Sequence, residues 1–289
     1  MSSQPMANQQ KPVVLITGCA KGGIGYEYCH AFSALGCRVV ATDIPDRVPD
    51  LAASDTTAVL PLDVTSESSI HDAVRRVLSD HGRIDVLVNN AGIGCTGPLA
   101  EMSTESVRRA MDVNFLGQVR MVRAVAPHMA SRRSGRVVNV GSVVGNAATP
   151  WAAPYCASKA AVHAATDALR LELRPFGVHV VKVVPGAVRS SLGHANKAAM
   201  AGQKEEWRMY EEFAAAIEER AAASQTGKAT DAAVFARHVA RKVMSARPPR
   251  QIVYGHMTLL FAALAASPAW ARDAFFTRRF GLDKKMPPR

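Results

Sequence analysis

Hydrophobic positions along this chain fall into short, nearly unbroken runs separated by longer amphipathic stretches. Pro12 to Thr17, Cys37 to Thr42, Val59 to Leu62, Ile84 to Val88, Arg136 to Gly141, Val178 to Val184 and Gln251 to Tyr254 are the apolar runs, rich in Val, Ile and Leu. Runs of this length with little polar alternation belong to strands covered on both faces. Helical patterns lie between them: from the turn after Thr17 through Ala34, from Ser68 to about Leu78 with Thr65 as the expected N-cap, from Thr104 to His128, from Ala157 to Leu173, and from Thr230 to about Met244. Strands alternating with helices predict an α/β protein built on one doubly wound parallel sheet of six or seven strands, with right-handed crossovers and helices on both faces. No internal repeat and no interdomain linker is visible, and 289 residues with 48% hydrophobic content suit a single domain over 11–255.

Composition narrows the function classes. The formal net charge is +11, but no basic cluster interleaved with aromatics occurs and aromatics are only 6% of the chain, so nucleic acid is not an expected partner. The five cysteines, Cys19, Cys29, Cys37, Cys95 and Cys156, form no C-x-x-C pair and sit in apolar segments. That usage suits a reducing compartment, a cytoplasmic location and no structural metal. Met1 to Lys11 is polar without an apolar run, so no secretory signal is expected, and residues 1–10 are expected to be disordered.

Chemistry concentrates at the strand ends. The first strand runs into Gly18-Cys-Ala-Lys-Gly-Gly-Ile-Gly25, and a helix follows. In that context glycines let the backbone approach a pyrophosphate while the helix N-terminus favours its charge. Asp43 stands at the end of the second strand, where a carboxylate accepts hydrogen bonds from an adenosine ribose and repels a 2′-phosphate; this points to NAD(H). Asn89-Asn90-Ala91-Gly92 follows the fourth strand, a turn that lines the ligand crevice of a parallel sheet, its small Ala91 and Gly92 leaving room for a ribose. Tyr155 and Lys159 lie one helical turn apart, which sets an ammonium beside a phenol and is expected to draw the phenol pKa towards working pH. Ser142, at the end of the Arg136 to Gly141 run, can hydrogen-bond the same substrate oxygen.

These motifs, in this order, resemble the short-chain dehydrogenase/reductase family over roughly Lys11 to Tyr254; the Leu15-Ile-Thr-Gly-Cys19 opening, the extra loop glycine and the apolar tail look most like its branch of acyl-dihydroxyacetone-phosphate reductases and hydroxysteroid or retinol dehydrogenases. The resemblance implies a Rossmann-type fold and reversible hydride transfer between a nicotinamide cofactor and a carbonyl or secondary alcohol of an apolar substrate. It implies that Ser142, Tyr155 and Lys159 are catalytic with Asn114 as a fourth member, which bends its helix and holds a water leading to the lysine. Gly18, Lys21, Gly23, Ile24 and Gly25 then cradle the pyrophosphate. Asp63 and Val64 meet the adenine, Asn90, Ala91 and Gly92 the ribose, and Pro185, Gly186, Val188 and Ser190 the carboxamide end. Two departures stand out. Gly18, Gly23 and Gly25 are five and two residues apart where the family has four and two, and Ser190 replaces a threonine. A basic residue such as Lys21 in the glycine turn accompanies NADP(H) in the family, so Lys21 and Arg47 weigh against Asp43 and NADP(H) stays open.

Residues 191–225 carry no family motif. Trp207, Tyr210, Phe213 and Ile217 recur at helical spacing in the region that covers the substrate in the family, so a lid and core packing are equal expectations. Trp207 and Tyr210, with Val144 and Trp151, are the expected substrate contacts. Beyond the domain, residues 256–289 form an apolar then basic tail. Met257 to Ala271 has no charge and is interrupted by Pro268, and Arg272 to Phe280 mixes cations with aromatics, followed by Lys284, Lys285 and Arg289. The tail is too short and too broken for a transmembrane helix. Peripheral attachment to the cytosolic face of a membrane or to a lipid droplet, and packing on the protein or a second subunit, are equal expectations. The small residues Ala157, Ala160, Ala161, Ala164, Ala165 and Ala168 would permit the helix pairing through which relatives form dimers or tetramers.

Overall fold

A computed structural model describes residues 11–51, 57–193, 195–196 and 207–284. The N-terminal segment 1–10, part of the lid region and Lys285 to Arg289 lie outside the described residues.

The apolar runs become the strands β1 (Val13–Thr17), β2 (Arg38–Asp43), β3 (Thr57–Pro61), β4 (Val86–Asn89), β5 (Gly135–Val140), β6 (Val178–Pro185) and, at the far edge, Gln251–Tyr254. They form one seven-stranded sheet, entirely parallel, in the order β3-β2-β1-β4-β5-β6 followed by the 251–254 strand. Two shorter strands, β7 (Val188–Arg189) and β8 (Thr230–Asp231), pair with each other outside it; the edge strand is therefore β9.

Helices cover both faces because both faces are apolar. On one side α1 (Ile24–Ser33) packs Tyr28 and Phe32 with Val14, Ile16, Val39 and Val138. On the other, α2 (Glu67–His81) presents Ile70, Ala73, Val74 and Val77, a spacing that puts all four on one stripe, against Val13, Leu15 and Leu87. Its N-cap is Ser66, whose side chain accepts from the Ser69 amide at 3.2 Å, and not Thr65. Thr65 instead donates its hydroxyl to Asp63 at 2.7 Å, a local turn that leaves the cap to its neighbour.

The long pattern from Thr104 is three pieces: α3 (Thr104–Met111), a wider π turn over Asp112–Leu116, and α4 (Gly117–Ser131). The interruption holds Asn114, as a helix bent at that residue requires. The next helix, α5 (Ala153–Glu172), begins four residues earlier than its apolar pattern, with Pro154 in its first turn where a missing N–H costs nothing. Later come α6 (Ala214–Ala221) and α7 (Ala232–Val243), the latter capped by Asp231 and packing Phe235 against α1.

The tail does not stand apart from this body. It folds as α8 (Thr258–Ala266) and α9 (Ala269–Phe280), which bury Phe261, Leu264, Phe276 and Phe280 in a third cluster with Val144, Trp151, Trp207 and Ile217. Its other side stays in solvent: Leu259 is 86% and Trp270 74% exposed. No helix among the described residues is long and apolar enough to cross a membrane.

Candidate active site

One cavity of about 2120 Å³ opens along the carboxyl ends of β1 to β6. That exceeds the ~1,000 Å³ of a large single-ligand pocket, enough for an extended ligand and a second molecule together.

At one end, the glycine turn and the NNAG turn are built against each other. Thr17 Oγ1 accepts the backbone amides of Asn90 and Ala91 at 3.1 and 3.0 Å, and Asn90 Nδ2 donates to the carbonyls of Thr17 and Gly18 at 2.9 Å each. The crowding explains the glycines. Gly18 has φ +73°, and a Cβ there would come within 2.7 Å of the Ala91 backbone; Gly22 has φ +80°. The residue in excess of the family spacing is thus absorbed in a turn that two left-handed glycines close, with the Gly23 amide bonded to the Ala20 carbonyl at 3.1 Å. Gly18, Lys21, Gly23 and Ile24 line the cavity. Gly25 does not: it lies in the first turn of α1, where a side chain would strike the Gly18 carbonyl, so its place is structural.

Asp43, Asp63, Val64, Asn90, Ala91 and Gly92 also line this end, as does Arg47. The Asp43 carboxylate is already engaged. It accepts the Ala20 amide on Oδ2 at 2.8 Å and the Ile44 amide on Oδ1 at 2.9 Å, tying the glycine turn to the end of β2. Each oxygen keeps a lone pair for a further donor. Pro185, Gly186, Val188 and Ser190 line the cavity farther along, and the Ser191 amide bonds back to the Gly22 carbonyl at 2.8 Å, closing a backbone rim.

Midway, Ser142, Tyr155 and Lys159 converge. Tyr155 and Lys159 share a face of α5, with Nζ 5.7 Å from the phenol ring centre. Lys159 donates to the Val140 carbonyl at 3.0 Å, and burial pushes its pKa down to about 8. Burial pushes the Tyr155 phenol up; the nearby Arg220 guanidinium and a hydrogen bond from the Ser142 hydroxyl pull it back. The expectation that the phenol is drawn down towards working pH is not met in this geometry, because burial outweighs the neighbouring groups that favour its charged form. Asn114, fully buried in the π turn, exchanges two hydrogen bonds with the Ile93 backbone at 2.8 and 2.9 Å and donates to Ser158 Oγ at 3.0 Å. It makes no direct bond to Lys159. Both side chains converge on Gly92, whose missing Cβ would lie 3.2 Å from Asn114 Oδ1 and 3.7 Å from Lys159 Nζ.

The remaining wall is apolar. Val144 lines it as expected, but Trp151, Trp207 and Tyr210 do not. Trp151 meets Tyr210 edge-on and Phe213 at a tilt, with ring centres 5.4 and 5.6 Å apart, and Trp207 is buried with them, so these aromatics form the packing behind the wall. Their place at the cavity is taken by the tail, through Leu260, Phe261, Phe275, Phe276 and Phe280. Arg220 of α6 completes this end; no motif marks it in the sequence.

Sequence reasoning also missed His163, one turn beyond Lys159. Its ring Nε2 accepts the Ser142 backbone amide at 3.3 Å and its Nδ1 pairs with Asn146 Oδ1 at 2.9 Å, which makes Nδ1 the protonated nitrogen. The ring fills space that side chains at Gly141 or Gly145 would occupy. A histidine four residues after the lysine, facing a G-S-x-x-G segment, is the signal that could have revealed it.

Known proteins resemble this arrangement along most of the chain. A family model described as short chain dehydrogenase matches residues 12–201. The short-chain dehydrogenase ptmH of Penicillium ochrochloron is 34% identical over 284 residues, covering 94% of this chain and 99% of its own. The NADPH-dependent 1-acyldihydroxyacetone phosphate reductase of Schizosaccharomyces pombe is 39% identical over 180 residues, covering 62% of this chain and 60% of its own. A crystal structure of a short-chain dehydrogenase from Streptomyces avermitilis superposes with a TM-score of 0.77 at 27% identity, covering 93% of this chain and 97% of that one.

Proposed function

The chain belongs to the short-chain dehydrogenase family, and on that premise we propose that it interconverts a ketone and a secondary alcohol on an apolar substrate with a nicotinamide dinucleotide. The observation that carries this is the meeting of Ser142, Tyr155 and Lys159 in one cavity with a glycine-built backbone rim at one end and an apolar wall at the other. The rim fits a dinucleotide: left-handed glycines, inward backbone and the Asp43 carboxylate are set along the sheet edge where α1 begins.

A bound nicotinamide dinucleotide supplies or accepts the hydride. Everything else falls to the chain. Tyr155 holds the proton that a carbonyl oxygen gains on reduction and takes it back on oxidation, which a phenol kept protonated by burial suits. The Ser142 hydroxyl, which lines the same cavity as the phenol, orients that oxygen and shares its developing charge. Lys159 keeps a cation beneath the phenol, and Asn114 braces the strand end behind it through Ile93 and Ser158.

Asp43 supports a preference for NAD(H), since a 2′-phosphate would face its charge. NADP(H) is the second reading. Lys21 and Arg47 line the same end, and both Asp43 oxygens already accept backbone amides, which offsets part of the repulsion. Steady-state reduction of a panel of long-chain ketones with NADH and NADPH tests both points. Turnover of none of them overturns the reading, and the kcat/KM ratio of the two cofactors decides between them.

For the tail, the exposed Leu259 and Trp270, with exposed Arg278 and Lys284 nearby in sequence, support attachment of a cytoplasmic protein to an anionic lipid surface. Flotation with anionic liposomes, comparing the protein with a Leu259→Ser, Trp270→Ser variant, tests it; equal partitioning would refute it. The exposed alanine face of α5, Ala157, Ala160 and Ala164, supports pairing with a second copy, which light scattering measures directly.

A further inference from the structure

The substrate end of the cavity contains a cation that no carboxylate among the described residues neutralises. Arg220 closes the last turn of α6 and is half-buried, and its Nε donates to the buried Thr149 Oγ1 at 2.8 Å. Among the described residues that hydroxyl is its hydrogen-bonding partner, and it takes part in no ion pair. The adjacent carboxylate, Glu219, is held by the Arg279 guanidinium of α9 in a two-pronged pair and so is not free to turn to Arg220.

Arg220 faces the same cavity as Val144, Phe261, Phe276 and Phe280, and a guanidinium against an apolar wall gives up hydration that only an anion returns in full. Thr149 fixes one nitrogen and thereby the plane of the fork, leaving the outer nitrogens, the pair that grips a carboxylate or phosphate with two parallel bonds. Arg220 also lines the same cavity as Ser142 and Tyr155, and its charge favours the ionised form of the Tyr155 phenol.

We propose that Arg220 receives an anionic group, a carboxylate or a phosphate, carried by the apolar substrate near its reacting carbon. This deepens the dehydrogenase reading and rests on it for the identity of the second ligand. The substrate class is an amphipathic oxo or hydroxy compound: an anionic head at Arg220, the carbonyl at Ser142 and Tyr155, and a hydrocarbon body along Phe261, Phe276 and Phe280.

Calorimetry on the full chain, with and without NAD(H) or NADP(H), provides the test. The ligands are straight-chain methyl-ketone carboxylates of graded length and their methyl esters. At the best length the carboxylate binds at least about tenfold more tightly than its ester. Arg220→Gln brings that ratio close to one, and Arg220→Lys keeps part of it, a point charge without the fork. Equal binding of acid and ester at every length, or an Arg220→Gln protein with the original ratio, overturns the proposal. Should Arg220→Gln fail to fold, the Arg220→Lys ratio decides: an unreduced preference counts against the fork. A carboxylate preference without turnover of any ketone leaves the anion site standing and removes the dehydrogenase reading; turnover without the preference does the opposite.

Discussion

The imidazole of His163 accepts the backbone N–H of Ser142 at 3.3 Å, so Ser142 is held in place by the same helix that carries Tyr155 and Lys159. Three side chains at successive turns of α5 thus meet at the Ser142 end of the cavity: the phenol, the ammonium near its ring, and an imidazole that fixes the serine backbone. Replacing the ring by His163→Phe keeps the volume and orphans a buried amide, at a cost of about 1–3 kcal/mol. The expected outcome is a matching loss of stability in urea denaturation and a fall in kcat of about tenfold, with the KM for the dinucleotide little changed.

The same ring makes stability pH-dependent. Burial, then the Lys182 and Lys159 charges, push the His163 pKa down to about 4, below its unfolded value near 6.5. As pH falls through this window the unfolded chain takes up the proton first, so the stabilisation is whole above about 6.5 and lost towards about 4. Denaturation midpoints measured across that range should drop less steeply in His163→Phe than in the parent protein.

Much of this was legible in the sequence, and the misses have physical causes. Strands β1 to β6 and β9 were read from unbroken apolar runs because a sheet covered on both sides leaves no polar alternation to confuse the pattern. Ser142, Tyr155 and Lys159 were legible because their chemistry demands particular side chains at particular spacings. The aromatic stripe of Trp207, Tyr210 and Phe213 was legible as buried but not as to what it meets: the same spacing serves a cavity wall and the packing behind it, and here it is the packing. Helix α8 carries no charge on any face, so nothing in its pattern tells which side turns inward to line the cavity. Arg220 has no motif and depends on Thr149, 71 residues away in the chain.

The glycine turn admits no side chain at its first position. Gly18→Ala would force a Cβ into left-handed backbone and within 2.7 Å of Ala91. A stability loss of more than about 1 kcal/mol is expected, with weakened dinucleotide binding by fluorescence titration, whereas Gly36→Ala, also at positive φ but with open space around it, should lose stability alone.

On the proposed mechanism, Lys159 sets an alkaline limit. With its pKa brought down to about 8 by burial, its ammonium is lost as pH rises through that value. Tyr155, pushed the other way by burial, stays protonated over the same range. The rate of ketone reduction should therefore fall above about pH 8 while the proton donor is still present. A Lys159→Arg protein, whose cation does not titrate there, should lose that limb in a kcat/KM profile even where its rate is lower throughout.

The most direct measurement is turnover by a Tyr155→Phe protein alongside its dinucleotide affinity. Removing one hydroxyl from the middle of the cavity should leave nicotinamide dinucleotide binding within about twofold and lower ketone reduction by roughly a hundredfold to ten-thousandfold. Turnover that survives the substitution unchanged would contradict the assignment of Tyr155 as proton donor and, with it, this account of the site.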